Sequence, residues 1–176
     1  MHMNLKGKRV VVAGGSRGIG RSIALGFAAA GAGVSICARG RAQLDATSAE
    51  IAAHGVKLHA AVCDLADKDA IAAYIAAAAD SLGGIDVLVN NASGFGTSDD
   101  EAGWAKGLSV DVMATVRASL AATPFIETAG GGAILNISSI SGYRASARTP
   151  SYAAVKAALI NYTMSQALCW RRSKSA

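Results

Sequence analysis

The chain has 176 residues, 52% hydrophobic and 16% charged, with 20 glycines and two prolines. That composition supports one buried core and excludes a disordered chain. The formal charge is +5, but Arg171, Arg172 and Lys174 supply three of those charges, and residues 1–168 carry 14 basic and 12 acidic side chains, or +2; with no basic stripe and interleaved aromatics, nucleic-acid binding is not expected.

The opening "MHMNLKGKRVVVAGG" holds an apolar run too short for a signal peptide or a membrane span, so a cytoplasmic protein with no membrane partner is expected. Residues 8–30, "KRVVVAGG" and then "GRSIALGFAAAG" at helical spacing, read as strand, tight turn and helix. "GVSICARG" is a second strand, and "AQLDATSAEIAAHG" is a helix that Gly55 would cap. "VKLHAAVCDL" is a third strand, "DKDAIAAYIAAAADSLGG" an acid-started helix, and "IDVLVNNAS" a fourth strand. A helical stretch from about Asp100 to Thr123 precedes a fifth strand in "GGAILNISS". A loop and the helix "SYAAVKAALINYTMSQAL" follow. Apolar strands alternating with amphipathic helices require helices on both faces of a parallel sheet, so the expected fold class is α/β, a doubly wound parallel sheet of the Rossmann type.

Three features carry chemistry. The first is "AGGSRGIG", residues 13–20, where the first strand turns into the first helix. Gly14 allows the turn, Gly18 lets backbone approach a pyrophosphate and Gly20 lets helix and strand pack closely, while the helix amides favour an anion. The second is "CARGR": Ala38 stands where an NAD site would carry an acid, and Arg39 together with Arg17 can pair with a 2′-phosphate, which favours NADP. The third is Tyr152 and Lys156, four residues apart on one helix face, where an ammonium beside the phenol favours its phenolate. Pro150 and Ser151 put Tyr152 near the helix start, where the dipole acts the same way. Three scattered cysteines, Cys37, Cys63 and Cys169, give neither a disulfide framework nor a zinc pattern, and His54 and His59 lack partners for a metal site.

Taken together, the glycine turn, "CDL" after strand three, "NNA" after strand four, "ISS" after strand five and Tyr152-x-x-x-Lys156 resemble the classical short-chain dehydrogenase/reductases, including 3-oxoacyl-[acyl-carrier-protein] reductases, from residue 5 to about 168. The resemblance implies an NADP(H)-dependent oxidoreductase that interconverts a ketone and a secondary alcohol, with a small-molecule carbonyl or alcohol as substrate. By the same resemblance Tyr152 is the acid/base, Lys156 its activator and a ribose ligand, and Ser139, thirteen residues before Tyr152, the donor to the substrate oxygen. Ser138 faces elsewhere on an extended strand. Gly14, Ser16, Arg17, Gly18, Ile19 and Gly20 would hold the cofactor with Arg39, Asp64, Leu65, Asn91 and Ala92, beside Asn90. Ser93 replaces the usual glycine. Counting from Trp104, Asp111 falls where many members carry the asparagine that completes a catalytic tetrad, and its negative charge near Lys156 would alter the proton relay. Tyr143 fits either a pocket wall or a cover for the sheet end. Members commonly pair through helices corresponding to residues 104–123 and 152–168, so a homodimer is expected.

Residues 1–168 read as one dinucleotide-binding and catalytic domain, and 169–176 as a basic tail outside the family pattern. The family normally continues into further strands, so the resemblance implies five strands here, with the C-terminal strands missing, "GGAILNIS" as an apolar edge and a non-catalytic NADP(H)-binding remnant as the alternative function. A neighbouring reading frame of "CWRRSKSA" can be written as Met-Leu-Ala-Gln-Lys-Gln-Ile-Arg, similar to the family's passage into a sixth strand. A frameshift and an ordinary solvated tail are both open at this point.

Overall fold

A computed structural model describes residues 4–173. The chain runs β1 (Arg9–Ala13), α1 (Gly18–Ala29), β2 (Gly33–Ala38), α2 (Arg41–Ala52), β3 (Leu58–Val62), α3 (Lys68–Leu82), β4 (Val87–Asn90), α4 (Glu101–Lys106), a π-helical segment (Gly107–Met113), α5 (Ala114–Thr128), β5 (Ala133–Asn136), a 3-10 turn (Ile140–Gly142) and α6 (Pro150–Ser173). Five strands form one sheet in the order β3-β2-β1-β4-β5. Val12 of β1 pairs in parallel with Ile36 of β2 and with Val89 of β4. This is the doubly wound parallel sheet expected from the alternating pattern, with its order reversing between β1 and β4.

The chain divides into two compact units, Met1–Ala92 with Ala114–Leu135 and Ser93–Met113 with Asn136–Ala176. In the first unit Val10, Val11, Val12, Val34, Ile36 and Leu88 are fully buried. Each fully buried side chain of this kind is stabilising by about 2 kcal/mol. Their unbroken apolar runs follow from helices covering both faces of the sheet. Val11, Ala13 and Cys37 share a cluster with Ile71, Ile75 and Ala78 of α3 and Ala118, Ala122 and Ile126 of α5. α3 starts where the Asp67 carboxylate accepts from the amides of Asp69 and Ala70, and stops where Gly83 turns left-handed at φ 85°. Both signals are local to the sequence. α2 ends at Ala52, earlier than a Gly55 cap implies; Gly55 adopts φ 69° in the turn beyond it.

Two polar arrangements support this unit. Asp86, just before β4, accepts from the backbone amide of Arg9 at 2.9 Å and from its Nε at 2.7 Å. The Asp86 amide and carbonyl bond Arg9 and Ala133, so one residue connects the starts of β1, β4 and β5. In the core, Ser35 Oγ lies 2.8 Å from the Tyr74 hydroxyl and 2.9 Å from His59 Nδ1. Burial pushes the Tyr74 phenol well up and lowers the His59 imidazole, so His59 belongs to a satisfied core cluster.

In the second unit α6 begins at Pro150, whose missing amide hydrogen costs nothing in a first helical turn. Ser151 is fully buried and donates to the carbonyls of Gly96 at 2.7 Å and Ser98 at 3.0 Å, fixing that turn to the segment after β4. α6 continues past Leu168 through Ser173; residues 174–176 of the expected tail lie outside the described residues.

Candidate active site

The glycine turn is built within the first unit. Gly14 has φ 80°, and a Cβ there would lie 3.1 Å from Cα of Ala92. Asn91 donates from Nδ2 to the Gly14 carbonyl at 2.9 Å and from its amide to Ala13 at 3.3 Å. A Cβ on Gly20 would overlap both the Gly14 carbonyl and the Asn91 amide. Gly20 is therefore required by close packing of helix on strand, and Asn91 of "NNA" braces the turn. Buried Thr47 adds a support that the motifs did not reveal: its hydroxyl donates to the Ser16 carbonyl at 2.9 Å.

The start of α1 is open. Its N-cap, Arg17, makes no side-chain capping bond, and the first turn carries no acid. Gly18 has φ 55° with no atom within 4 Å of its added Cβ, and Ile19 is 65% exposed. Free helix amides with a clear approach suit an anion. Arg17 and Arg39 are both exposed, and neither forms an ion pair among the described residues. Leu65 is buried, while the Asp64 carboxylate accepts from the Ala66 amide at 3.0 Å.

The second unit contains Ser139, Tyr152, Lys156 and Asp111. Lys156 Nζ lies 5.6 Å from the centroid of the Tyr152 ring, as a one-turn separation on α6 demands. The same ammonium lies 2.9 Å from Asp111 Oδ1, with the two side chains 3% and 0% exposed. It also donates to the Ile137 carbonyl at 3.1 Å, and Asp111 Oδ2 accepts from the Gly94 amide at 2.9 Å. A buried ion pair persists only when further hydrogen bonds satisfy both partners, and these two supply them. Asp111 sits in the π-helical segment Gly107–Met113, whose widened turn interrupts the helix between α4 and α5.

Ser139 caps the 3-10 turn by accepting from the Ser141 amide at 3.2 Å, whereas Ser138 donates to the Lys156 carbonyl at 2.8 Å. The two adjacent serines thus face different partners. Among the described residues the Tyr152 hydroxyl makes no hydrogen bond, which leaves a phenol with both donor and acceptor capacity. Tyr143 is 77% exposed. The chain places together a phenol, an ammonium and a carboxylate, a set suited to proton transfer.

The short chain dehydrogenase family profile matches residues 8–174. The chain belongs to the short-chain dehydrogenase family. An uncharacterised oxidoreductase of Mycobacterium tuberculosis is 37% identical to this family member over 171 residues, covering 93% of the chain and 64% of the relative. L-Sorbose reductase from Gluconobacter frateurii, complexed with NADPH and L-sorbose, superposes with a TM-score of 0.89 at 32% identity, over 96% of this chain and 66% of that one. A 7α-hydroxysteroid dehydrogenase complexed with NADH and a 7-oxo bile acid superposes at 0.85 and 32% identity, over 90% and 63%. This short-chain dehydrogenase sequence thus spans about two thirds of the length of these relatives. A nicotinamide dinucleotide fits the residues present: the uncapped α1 start and the open space at Gly18 admit a pyrophosphate, and the exposed guanidinium groups can meet further phosphate charge.

Proposed function

We propose that this protein is an NADP(H)-dependent oxidoreductase that interconverts a ketone and a secondary alcohol. The observation that carries the reading is the Tyr152–Lys156 pair, set on one face of α6 with the phenol hydroxyl uncommitted. A bound nicotinamide would supply or accept the hydride. In the reductive direction Tyr152 gives its proton to the carbonyl oxygen, and the nearby Lys156 ammonium eases the charge left on the phenolate. Ser139 turns its hydroxyl hydrogen to the same oxygen, because the Ser141 amide occupies only an acceptor lone pair of that hydroxyl.

NADP(H) is favoured because, among the described residues, Arg17 and Arg39 form no ion pair with a carboxylate, and because Ala38 replaces an acid. The relatives support the reaction class: one reduces a sugar ketone and another acts on a steroid alcohol, by their names. We place the protein in the cytoplasm, as a homodimer joined through the helices within 104–123 and 152–168. Among the described residues no helix is long and apolar enough to cross a membrane.

The test is a fluorescence titration of the full chain with NADPH and NADH, followed by NADPH oxidation with a panel of ketones and aldehydes. NADPH is expected to bind about tenfold more tightly than NADH, and R39A to remove most of that difference. Equal affinities for the two cofactors overturn the NADP(H) assignment. Binding without reduction of any carbonyl favours the alternative, a non-catalytic nucleotide-binding protein.

A further inference from the structure

Lys156 supports Tyr152 only to the extent that its charge reaches the phenol. In this chain a carboxylate has taken that charge up at close range. Asp111 Oδ1 lies 2.9 Å from Lys156 Nζ, closer than the 5.6 Å from the same nitrogen to the Tyr152 ring centroid. Both charges are buried, so neither solvent nor salt screens one and spares the other. The field of an isolated ammonium falls with distance, but that of an ammonium paired to a carboxylate falls more steeply, because the two charges cancel from afar.

We propose that Asp111 is a positioning residue that offsets the charge with which Lys156 acts on Tyr152, and thereby keeps Tyr152 a phenol and holds down kcat for alcohol oxidation relative to kcat for carbonyl reduction. Reduction uses the proton of the phenol. Oxidation starts from the phenolate, which needs the full ammonium field. The geometry also fixes the orientation of Lys156, whose remaining described bond goes to the Ile137 carbonyl at 3.1 Å. Asp111 is itself held by the Gly94 amide at 2.9 Å, so the carboxylate is set in place independently of the lysine.

The other ionisable groups on the segments packed against this part of α6 are Glu101 and Lys106 of α4, and Tyr143, Arg144 and Arg148 in the loop between the 3-10 turn and α6. All five are exposed, and among the described residues none of them forms an ion pair with Lys156. Asparagine at position 111 keeps the size and loses the charge, which makes it the informative substitution. The proposal rests on Tyr152 acting as acid and base, and the experiment separates the two.

Ultraviolet difference titration of tyrosinate is recorded for the full-length wild type, Y152F, D111N and D111N/Y152F, so that subtraction isolates the Tyr152 signal in each background. The Tyr152 tyrosinate is expected about one pH unit lower in D111N than in wild type, as removal of a nearby negative charge requires. With ethyl acetoacetate and ethyl 3-hydroxybutyrate as saturating probes, kcat for oxidation relative to kcat for reduction at neutral pH should then rise about tenfold, with KM values compensating so that the overall equilibrium is unchanged. Coincident titration curves, or a D111N curve at higher pH, overturn the proposal. D111S is carried in parallel and decides the question if D111N fails to fold by circular dichroism. The titration needs no turnover: absence of activity in the wild type tells against the functional reading alone, whereas coincident curves in an active enzyme tell against Asp111 alone.

Discussion

Gly20 shows how much one missing atom can do. A Cβ there would meet the Gly14 carbonyl and the Asn91 side-chain amide, both backed by the sheet, so a methyl has no soft neighbour to displace. G20A should destabilise the protein by about 2–4 kcal/mol, as overpacking against backbone does, and weaken NADPH binding at least tenfold. Urea unfolding and a fluorescence titration check the two effects; unchanged values for both would contradict the packing argument. The glycine spacing made this position legible. Thr47 was not legible: a threonine in mid-helix carries no local sign that its hydroxyl holds the Ser16 carbonyl.

Among the elements, the joint between strands is sensitive to acid. The guanidinium of Arg9 bonds the Asp86 carboxylate, which, with the Arg9 amide and nearby Lys8, holds Asp86 below the usual carboxylate range despite its burial. A depressed folded-state value makes this a stabilisation present above the ordinary carboxylate value of about 4, and lost as pH falls through the lower, folded-state one. D86N should therefore lower stability at pH 7 by about 3 kcal/mol and flatten the acid limb of the stability curve, as followed by urea denaturation between neutral and acid pH. An acid limb as steep in D86N as in wild type would contradict it. Strands and helices were readable because runs of Val, Ile and Leu alternate with helical spacing between glycine and aspartate signals. Their ends were less so. The helix expected to stop near Thr123 runs to Thr128 with Pro124 inside it. The proline removes the bond that the Leu120 carbonyl would accept, and the Leu120 side chain is 66% exposed, on a face where water can serve instead.

For the molecule as a whole, the glycine turn and the cluster of Asp111 and Lys156 beside Tyr152 are each built inside one of two units. Residues 93–113 and 136–173 come together in the second unit, so Asp111, Tyr152 and Lys156 meet although about 40 residues of chain separate the first from the others. Spacing along α6 is visible in a sequence and gave the Tyr152–Lys156 pair. The approach of Asp111 to Lys156 depends on a π-helical turn and a tertiary contact, which have no periodic signature. Its position opposite the family's asparagine was the available signal. The most direct test of the account compares NADPH oxidation and NADPH affinity in wild type and Y152F with the same carbonyl probe. In Y152F kcat should fall at least about a hundredfold with affinity within about threefold, if the phenol works on the reacting oxygen as proposed. Equal turnover in the two proteins would contradict it.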